Sequence, residues 1–433
     1  MAAHPMDPIS ASSQPPAALP ALTPADRRRT IWVLGALMTL TPFSIDLYLP
    51  AFPQLAAALN CSTARVALSL SSYFIAMALG QVFYGPLLDR FGRKPPIFAG
   101  LALYLVATVA CLAAPSVEWL IALRFLQALG GCVAQVAAVA MVRDFFPPAE
   151  GARVFSLLML ILGVSPLLAP TAGGLIAVWL GWQWVFIVLV GIGSVIVGLV
   201  AWLLRGAQGP DHSVVLRPAP ILLNFLEILR EPRFWTYALA GACSFSGLFV
   251  YIAGSPIIFM EGFKVSATTY GVIFALLSIG FIGGNQVNIV ALKYFSGERI
   301  FATALAAQVV VGTVFAVSAY QGWLGLSSTI ALLFCLLGCL GFTSPNSSAL
   351  ALAPFTRNVG SASALLGFLQ IGISALSSAA VGFFDVHTLA PIIAILAVMA
   401  GIGLAIFLLG RWRIAAADAP QAGGTTVAAA VEG

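Results

Sequence analysis

The sequence has very few charged residues. Asp, Glu, Lys and Arg make up 8% of its 433 residues, whereas they make up about 25% of a soluble globular protein. Hydrophobic residues account for 61% of the chain, and the mean hydropathy is +1.02. This balance excludes a soluble globular protein and predicts an integral membrane protein.

Histidine and cysteine are also scarce. The three histidines (His4, His212 and His387) fall in the predicted tail and loops, so no His-based catalytic or metal motif can be assembled. Cys335 and Cys339 share a helix face, but two thiols without His or carboxylate neighbours make a poor metal site. The six cysteines are interpreted as packing residues, and neither a metal nor a cofactor is expected.

Long apolar runs follow one another from Ile31 to Leu409. Each has about 20 residues, the length at which a helix crosses a hydrocarbon core of about 30 Å. The runs lie near residues 31–52, 64–88, 96–114, 118–142, 154–178, 184–204, 234–258, 268–292, 300–320, 324–348, 360–382 and 388–410. The predicted fold is therefore an all-α integral membrane protein with twelve transmembrane helices.

The positive residues separate to one side of these spans. With a cytoplasmic N-terminus, Arg65 and Lys264 alone face outward, and Arg124 alone lies inside a span. All the other Lys and Arg residues face the cytoplasm, as topology rules require. The sequence thus predicts that both termini are cytoplasmic. The net charge of +5 is interpreted as a sorting signal that faces anionic lipid, and no nucleic-acid partner is expected.

Polar segments divide the chain. Residues 1–29 are rich in Pro, Ala and Ser and are predicted to be a disordered cytoplasmic tail, as are residues 411–433. A cytoplasmic linker at 205–232 separates a half at 30–204 from a half at 233–410. Within the linker, the amphipathic segment Ile221–Arg230 is predicted to lie at the membrane surface.

The two halves echo each other at an offset of about 204 residues. "AFPQLAAAL" in the first half stands opposite "GSPIIFMEGF" in the second, and "LLDRFGRK" stands opposite "ALKYFSGER". Two pseudo-symmetric six-helix halves, related by an axis along the membrane normal, are typical of a transporter with a central cavity.

Asp46 and Arg124 are the two ionisable residues placed deep inside spans. At a rise of 1.5 Å per residue, both lie within about 10 Å of the outer boundary of the hydrocarbon core, and so at one depth. A buried charge is expensive unless it is paired or hydrated. The predicted arrangement is a functional ion or proton site, and a static ion pair that only fixes packing is the alternative.

Arg124 also heads a polar stripe on one face of the fourth span, with Gln127, Gly131 and Gln135 following at helical spacing. Such a stripe favours a cavity wall. Hydrogen bonding between neighbouring helices is the competing interpretation.

A charged cluster lies in the loop between the second and third spans, "GPLLDRFGRK". The glycines permit tight turns, and Asp144 at the end of the fourth span lies at the same level. Salt bridges that form in one arrangement of the halves and break in another would make a gate. The predicted gating residues are Gly85, Asp89, Arg90, Gly92, Arg93, Lys94 and Asp144.

These segments resemble a known family. "GPLLDRFGRK" is similar to the loop signature of the major facilitator superfamily, and "RFLQALGG" is similar to its fourth-helix motif. "LLAPTAGG" resembles the fifth-helix motif of its antiporters, with Ala169 where Gly is usual. "SIDLYLPAFP", "RDFFP" and "WLGWQWVF" resemble the Bcr/CflA branch of bacterial drug exporters.

The resemblance implies proton-coupled export of small amphipathic drugs across the bacterial inner membrane, driven by the proton gradient without a cofactor. It implies that Asp46 carries the proton with Arg124 as its partner, and that Pro170, Gly173 and Gly174 form a bend that seals one side. It further implies that the first, fourth, seventh and tenth spans line the cavity. The cavity candidates are Phe43, Tyr73, Gln127, Gln135, Ser244, Phe249, Tyr251 and Asn346.

Two other interpretations stay open. A carrier of a small metabolite such as an amino acid would have the same fold, because specificity depends on pocket shape. A membrane-embedded enzyme would need clustered carboxylates or a nucleophile with a base, and the spans supply a single Asp and no His. One chain is expected to form the whole pathway, so a monomer is expected.

Overall fold

The computed structural model describes residues 23–203, 225–355, 359–383 and 389–418. Throughout these ranges the regular structure is helical, and twelve helical segments are long and apolar enough to cross a membrane. The predicted all-α fold with twelve spans is therefore confirmed. The helices of the first half are α1 (Pro24–Asp46), α2 (Phe52–Ala58), α3 (Thr63–Arg90), α4 (Lys94–Cys111), α5 (Val117–Phe145), α6 (Pro148–Trp179) and α7 (Trp182–Leu203).

The second half repeats the pattern. Its helices are α8 (Pro232–Pro256), α9 (Ala267–Ala291), α10 (Gly297–Tyr320), α11 (Leu326–Leu352), α12 (Val359–Phe383) and α13 (Leu389–Asp418). The first span consists of α1 and α2. From the second span onward the helix number is therefore one higher than the span number, so the second span is α3 and the twelfth is α13. The linker residues 205–224 lie outside the described residues.

The first span is interrupted just after its carboxylate. α1 ends at Asp46, a short 3-10 turn covers Leu49–Ala51, and α2 begins at Phe52. Pro50 and Pro53 supply no backbone N–H and fix the local φ, so the regular helix cannot pass through this segment. The interruption leaves Asp46 at a helix end inside the protein.

Two predicted boundaries differ from the structure. α1 begins at Pro24, inside the segment predicted to be disordered up to residue 29, because Thr23 caps the helix by accepting a hydrogen bond from the Asp26 N–H. α13 likewise continues past residue 410 to Asp418 through an Ala-rich stretch.

The predicted surface helix Ile221–Arg230 is described only from residue 225 onward. Residues 225–229 are helical, and Ile228 is buried in a core of the second half that includes Phe234 and Phe301. This part of the segment therefore packs against protein, while Leu226 is 49% exposed.

Helix packing within the two halves follows one pattern. α1 packs on α5, α6 and α7, and α8 packs correspondingly on α11, α12 and α13. The pairs α3–α5 and α4–α5 have counterparts in α9–α11 and α10–α11. Each half is thus the same six-span unit, as the predicted pseudo-symmetry requires.

The halves meet through two helix pairs, α3 with α12 and α6 with α9. We call this interface the seam. We call the end of the bundle that holds Pro24 and Asp418 the basal end, and the opposite end apical. Of the described Lys and Arg residues, Arg65 and Lys264 are apical, Arg124 is internal and the rest are basal.

The seam is closed toward the apical end. Ser71 on α3 and Ser378 on α12 share a hydrogen bond of 2.7 Å, and the rings of Phe74 and Phe249 lie edge to face at 4.4 Å. The turn Leu49–Ala51 also contacts α8 and α9 of the other half. The interrupted first span therefore forms part of the contact between the halves.

Candidate functional site

Asp46 lies where the first half meets the second. It is the last residue of α1 and is 4% exposed. Its charge acts on Tyr251 of α8 and Tyr270 of α9, both in the other half. Within the described part of the chain, its carboxylate has no ion pair and no hydrogen bond. The structure therefore places a buried carboxyl group close enough to two tyrosines across the seam to interact with them electrostatically.

These two tyrosines differ in their bonding. Tyr270 shares a hydrogen bond of 2.7 Å with Ser255, while the buried hydroxyl of Tyr251 has no hydrogen-bond partner among the described residues. The Tyr251 ring stacks on Phe274 at 5.4 Å, which fixes its position. A buried hydroxyl without a partner is costly, so this group is available to bind water, a proton carrier or a ligand. Tyr251 was predicted to line the cavity, whereas Tyr270 was not.

Arg124 is fully buried inside the first half. Its guanidinium donates to Gln127 Oε1 at 2.5 Å and to the Ser44 carbonyl at 3.0 Å. The guanidinium carbon lies 4.4 Å from the ring centroids of Tyr48 and of Tyr73. Two aromatic rings and two oxygen dipoles thus stabilise the cation.

The predicted ion pair between Asp46 and Arg124 is not formed in this arrangement. Arg124 instead binds the carbonyl of Ser44, two residues before Asp46. Side chains two positions apart on a helix point about 200° apart. The Ser44 hydroxyl bonds Tyr104 of α4, so the Asp46 side chain points away from α4 and toward the seam.

A hydrogen-bond network extends from Arg124 into α4. Gln127 donates to Thr108 Oγ1 at 2.8 Å, and Ser44 shares a bond of 2.8 Å with the Tyr104 hydroxyl. The sequence interpretation missed Ser44, Tyr104 and Thr108 as members of this network, and it missed Tyr48 as a ring that contacts Arg124. The signal for two of them was a polar pair at i, i+4 in the apolar third span.

The polar stripe of the fourth span faces neighbouring helices. Gln127 is buried in the network, and Gly131 makes room for the Tyr104 ring, because a Cβ there would lie 3.0 Å from it. Gln135 is half-buried. Gln127 therefore fits the alternative interpretation, which was hydrogen bonding between neighbouring helices.

The remaining cavity candidates divide into two groups. Phe249 packs on Phe74 at the seam, and Phe43 is half-buried against the same core. Ser244 and Asn346 take part in packing within the second half. Ser244 binds Gln308 at 2.7 Å and Thr343 at 2.8 Å, and Asn346 donates to Asn288 at 2.7 Å.

Arg93 organises the predicted gating loop. It donates to both carboxylate oxygens of Asp144, at 2.6 and 3.1 Å, and to Asp89 at 2.8 Å. Burial alone would lower the pKa of Arg93, but the hydrogen bonds and charges of the two carboxylates raise it above its usual value. These bonds join the basal ends of α3, α4 and α5, all in one half.

The other loop residues have separate roles. Gly92 has φ of +76°, a conformation that favours glycine, and Arg90 lies over the Phe91 ring. Lys94 begins α4. Gly85 was expected at a turn, but it lies inside α3, and a Cβ there would meet nothing within 4 Å.

Two adjacent glycines bring α6 close to different neighbours. A Cβ on Gly173 would clash with the backbone carbonyl of Leu47, next to Asp46. A Cβ on Gly174 would lie 2.6 Å from the carbonyl oxygen of Ala267 on α9. Pro170 and Pro166 interrupt the hydrogen bonds of the same helix. This segment therefore contacts both the first span and the other half.

The described residues contain no cluster of three or more His, Cys, Asp or Glu side chains able to hold a metal. Cys335 and Cys339 have no such neighbours there. Taken together, the twelve-span fold and the buried charges beside the seam define a membrane transporter.

The comparisons with known proteins agree. The family model of the Major Facilitator Superfamily matches residues 34–376, and the chain belongs to this family. The fold is similar to that of solved transporters. A bacterial homologue of the human lysosomal transporter Spinster superimposes with a TM-score of 0.70 at 17% identity, covering 90% of this chain and 98% of that one.

Two of the sequence relatives are named for drug resistance. A bicyclomycin resistance protein homologue of Haemophilus influenzae is 29% identical, covering 84% of this chain and 91% of the relative. The multidrug resistance protein MdtL of Escherichia coli is 31% identical, covering 79% and 85%. The uncharacterized MFS-type transporter YdgK of Bacillus subtilis is 29% identical, covering 90% and 98%. These relatives confirm the resemblance to the Bcr/CflA branch.

Proposed function

We propose that this protein is a proton-coupled antiporter that exports small amphipathic drugs from the bacterial cytoplasm by alternating access, with Asp46 as the proton site. The observation that carries the proposal is the position of Asp46, a carboxyl group buried near the seam and within electrostatic reach of tyrosines of the other half. The names of the relatives support drugs as the substrate class. We assign the basal end, which holds most of the cationic residues, to the cytoplasmic side of the bacterial inner membrane.

The buried carboxyl group links proton binding to the arrangement of the halves. A carboxylate buried without a counter-ion is disfavoured, whereas its neutral form is tolerated. We assign the neutral form to the apically closed arrangement described above. When the basal side opens to the cytoplasm and α1 shifts, Asp46 loses its proton to cytoplasmic water and is stabilised by the nearby Arg124. It regains a proton from the outer medium when the apical side opens.

Arg124 is suited to that role because its present partners are neutral. It binds a carbonyl, an amide oxygen and two aromatic rings. A carboxylate that reaches it replaces weaker dipoles with a full opposite charge. The Arg124 cluster therefore remains folded whether or not Asp46 is ionised, while favouring the ionised form once it is near.

The proton gradient is large enough for this task. A membrane potential contributes about 2.3 kcal/mol per charge per 100 mV, so a total drive of about 150 mV supplies about 3.5 kcal/mol per proton. At about 1.4 kcal/mol per factor of ten, one proton supports a drug gradient of a few hundredfold. Such a gradient is sufficient for resistance.

The test combines susceptibility and transport. A host stripped of its own pumps and producing this protein is expected to grow at raised concentrations of some amphipathic antibiotics. Bicyclomycin comes first, because a relative is named for resistance to it. Inverted vesicles energised by a pH gradient are expected to accumulate the same drug.

The key variant is Asp46→Asn, which keeps the shape of the side chain but cannot release a proton. It is expected to abolish gradient-driven accumulation while inserting normally. Glu118→Gln removes a carboxylate that is paired with Arg65 at the apical surface, and it serves as the matched control. Full export by the Asn variant would rule out Asp46 as the proton site. Accumulation of an amino acid rather than any drug would favour the metabolite carrier.

A further inference from the structure

The carboxyl group of Asp46 has neighbours in the second half that the proton transfer described above does not use. The turn Leu49–Ala51, which closely follows Asp46, contacts α8 and α9. α8 carries Tyr251 and α9 carries Tyr270, and both residues are buried within electrostatic reach of Asp46. The packing of the first span therefore brings the carboxyl group near two phenolic hydroxyls.

The two tyrosine rings are held in place by neighbouring phenylalanines. Phe274 stacks on the Tyr251 ring at a centroid distance of 5.4 Å, and its centroid lies 6.0 Å from that of Tyr270. Tyr270 also contacts the Phe259 ring at 6.4 Å. Because ring packing fixes both side chains, their hydroxyls keep their positions whatever they bond.

The proton of the Tyr270 hydroxyl is already committed. Ser255 has one hydroxyl hydrogen, and it donates to the carbonyl of Ile252 at 3.0 Å. The bond of 2.7 Å between Ser255 and Tyr270 therefore has Tyr270 as its donor. The Tyr270 oxygen can still accept a hydrogen bond, but it has no hydrogen left to donate to Asp46.

The Tyr251 hydroxyl is not committed in this way. It is buried and has no hydrogen-bond partner among the described residues, and neither has the carboxyl group of Asp46. A buried hydroxyl without a partner is costly. A phenol donates one hydrogen bond and a carboxyl oxygen accepts one, so these two groups from opposite halves complement each other.

The other helices packed against the end of α1 bring few titratable groups. Residues 160–179 of α6 and the whole of α7 contain none. Tyr48 shares a hydrogen bond of 2.8 Å with Ser69, and Arg124 donates to the Ser44 carbonyl at 3.0 Å. Tyr251 is thus the hydroxyl of this region that lies near Asp46 with its donor unused.

We propose that Tyr251 is a positioning residue for the proton step, and that its hydroxyl donates to the Asp46 carboxyl group across the seam, directly or through one water molecule, while the apical side is closed. The inference rests on the proposed function for the proton step, whereas the hydrogen bond itself can be tested without transport. A carboxylate gains more from a donor than a neutral carboxylic acid does. The hydroxyl therefore eases proton release before α1 shifts and Arg124 takes over as the partner.

The bond also connects the proton site to the contact between the halves. Tyr251 belongs to the second half and Asp46 to the first, so opening of the apical side separates donor and acceptor. The carboxyl group then loses a partner that favours its ionised form. Proton uptake from the outer medium is thereby favoured in the arrangement in which the medium reaches Asp46.

The experiment is an infrared titration of the purified full chain in lipid. The C=O band of the protonated Asp46 carboxyl is identified by its loss in Asp46→Asn. Tyr251→Phe keeps the ring and removes the hydroxyl. The band is expected to move to higher frequency, because a hydrogen bond to the carbonyl is lost. The pH at which half of the band disappears is expected to rise by about one unit. An unchanged band and midpoint would overturn the proposal.

Two further tyrosine variants serve as comparisons. Tyr237→Phe removes a hydroxyl that interacts with Glu298, on the same helix but about 20 Å toward the basal end, and should leave the band in place. Tyr270→Phe removes the hydroxyl bonded to Ser255 and should move the band less than Tyr251→Phe does. An equal or larger shift in Tyr270→Phe would assign the donor to that residue and contradict the inference.

A change of opposite sign guards against a packing defect in Tyr251→Phe. Incorporation of 3-fluorotyrosine in place of Tyr251 retains the ring and makes the hydroxyl a stronger donor. The band and its midpoint should then move in the direction opposite to that of Tyr251→Phe. Shifts of the same sign in both proteins would show that packing, and not the hydrogen bond, perturbs Asp46.

Export measured against pH in inverted vesicles separates this inference from the proposed function. Tyr251→Phe is expected to move the pH profile upward by about one unit. If Asp46→Asn abolishes export while Tyr251→Phe leaves the profile in place, Asp46 is the proton site and the positioning role is refuted. If Asp46→Asn exports fully, the proposed function fails, whereas the infrared shift still decides whether the hydrogen bond exists.

Discussion

Ser71 and Ser378 share a hydrogen bond of 2.7 Å across the seam, although 307 positions separate them in the sequence. Each comes from one of the two helices, α3 and α12, that join the halves on this side. Because both hydroxyls are buried, the bond lies within the closed interface. It therefore marks a point at which the halves touch in the apically closed arrangement.

A cysteine at each of these positions should lock the halves together. Oxygen atoms 2.7 Å apart place the two Cβ atoms within the reach of a disulfide. In a background without the six native cysteines, Ser71→Cys with Ser378→Cys is expected to cross-link under mild oxidation and to stop export. Reduction should restore export, and each single variant should be insensitive to oxidant. A cross-linked protein that still transports would show that this seam need not open.

Arg124→Lys is expected to destabilise the protein despite preserving the charge. A lysine cannot stack on Tyr48 and Tyr73 while also reaching Gln127 and the Ser44 carbonyl. The expected loss is about 3 kcal/mol of unfolding free energy, from charged hydrogen bonds and cation–π contacts. Denaturant unfolding in detergent measures it.

The control for this change is Arg65→Lys. Arg65 forms an exposed pair with Glu118, so its replacement should alter stability by less than about 1 kcal/mol. Equal stability of the two lysine variants would mean that the Arg124 cluster contributes little to folding.

Asp144→Asn should disrupt the gating loop more than Asp89→Asn does. Both carboxylates bind Arg93, but Asp144 does so through two bonds and is largely buried, whereas Asp89 is 54% exposed. Breaking a buried pair costs about 3–5 kcal/mol, and breaking an exposed one costs less than about 1 kcal/mol. The unfolding temperature and the export rate should both fall more in Asp144→Asn than in Asp89→Asn. The reverse order would contradict the burial of Asp144 and its two bonds to Arg93.

Gly174→Ala should loosen the apical seam. The new methyl group would lie 2.6 Å from the Ala267 carbonyl oxygen, a backbone atom that cannot move aside alone. Export is expected to fall about tenfold or more, and vesicles should leak protons. The readouts are the decay of an imposed pH gradient and the rate at which a thiol reagent labels a cysteine at position 378.

Gly163 offers a control on the same helix. A Cβ there would lie 3.8 Å from Ile282 of α9, an ordinary van der Waals distance. Gly163→Ala should therefore leave both readouts near wild type. If the two alanine variants behave alike, close approach at Gly174 is not what seals the seam.

The fold could be predicted from the sequence because it depends on the composition of whole segments and not on single residues. Each span is about 20 apolar residues, and each basal loop gathers arginines, so errors of a few residues do not change the count. The interruption after Asp46 was less visible. Pro50 and Pro53 indicate a break, but only packing decides whether the chain bends, ends or continues there.

The site was predictable only in part. Depth arithmetic places Asp46 and Arg124 at one level, but it does not fix the rotation of a helix about its axis. That rotation turns Ser44 toward Arg124 and Asp46 toward Tyr251. Likewise, the sequence predicts that Ser244 lines a cavity. In the structure its hydroxyl binds Gln308 and Thr343, because α10 and α11 pack directly against it.

The paired glycines of α6 give the molecule a short mechanical linkage. Gly173 holds α6 against Leu47, and Gly174 holds the same turn against Ala267 of the other half. Neither glycine has a side chain to separate the backbones. A movement of α9 would therefore be transmitted through one turn of α6 to Leu47, the residue beside Asp46. One turn of α6 thus connects the closed apical contact between the halves to the segment that holds the Asp46 carboxyl group.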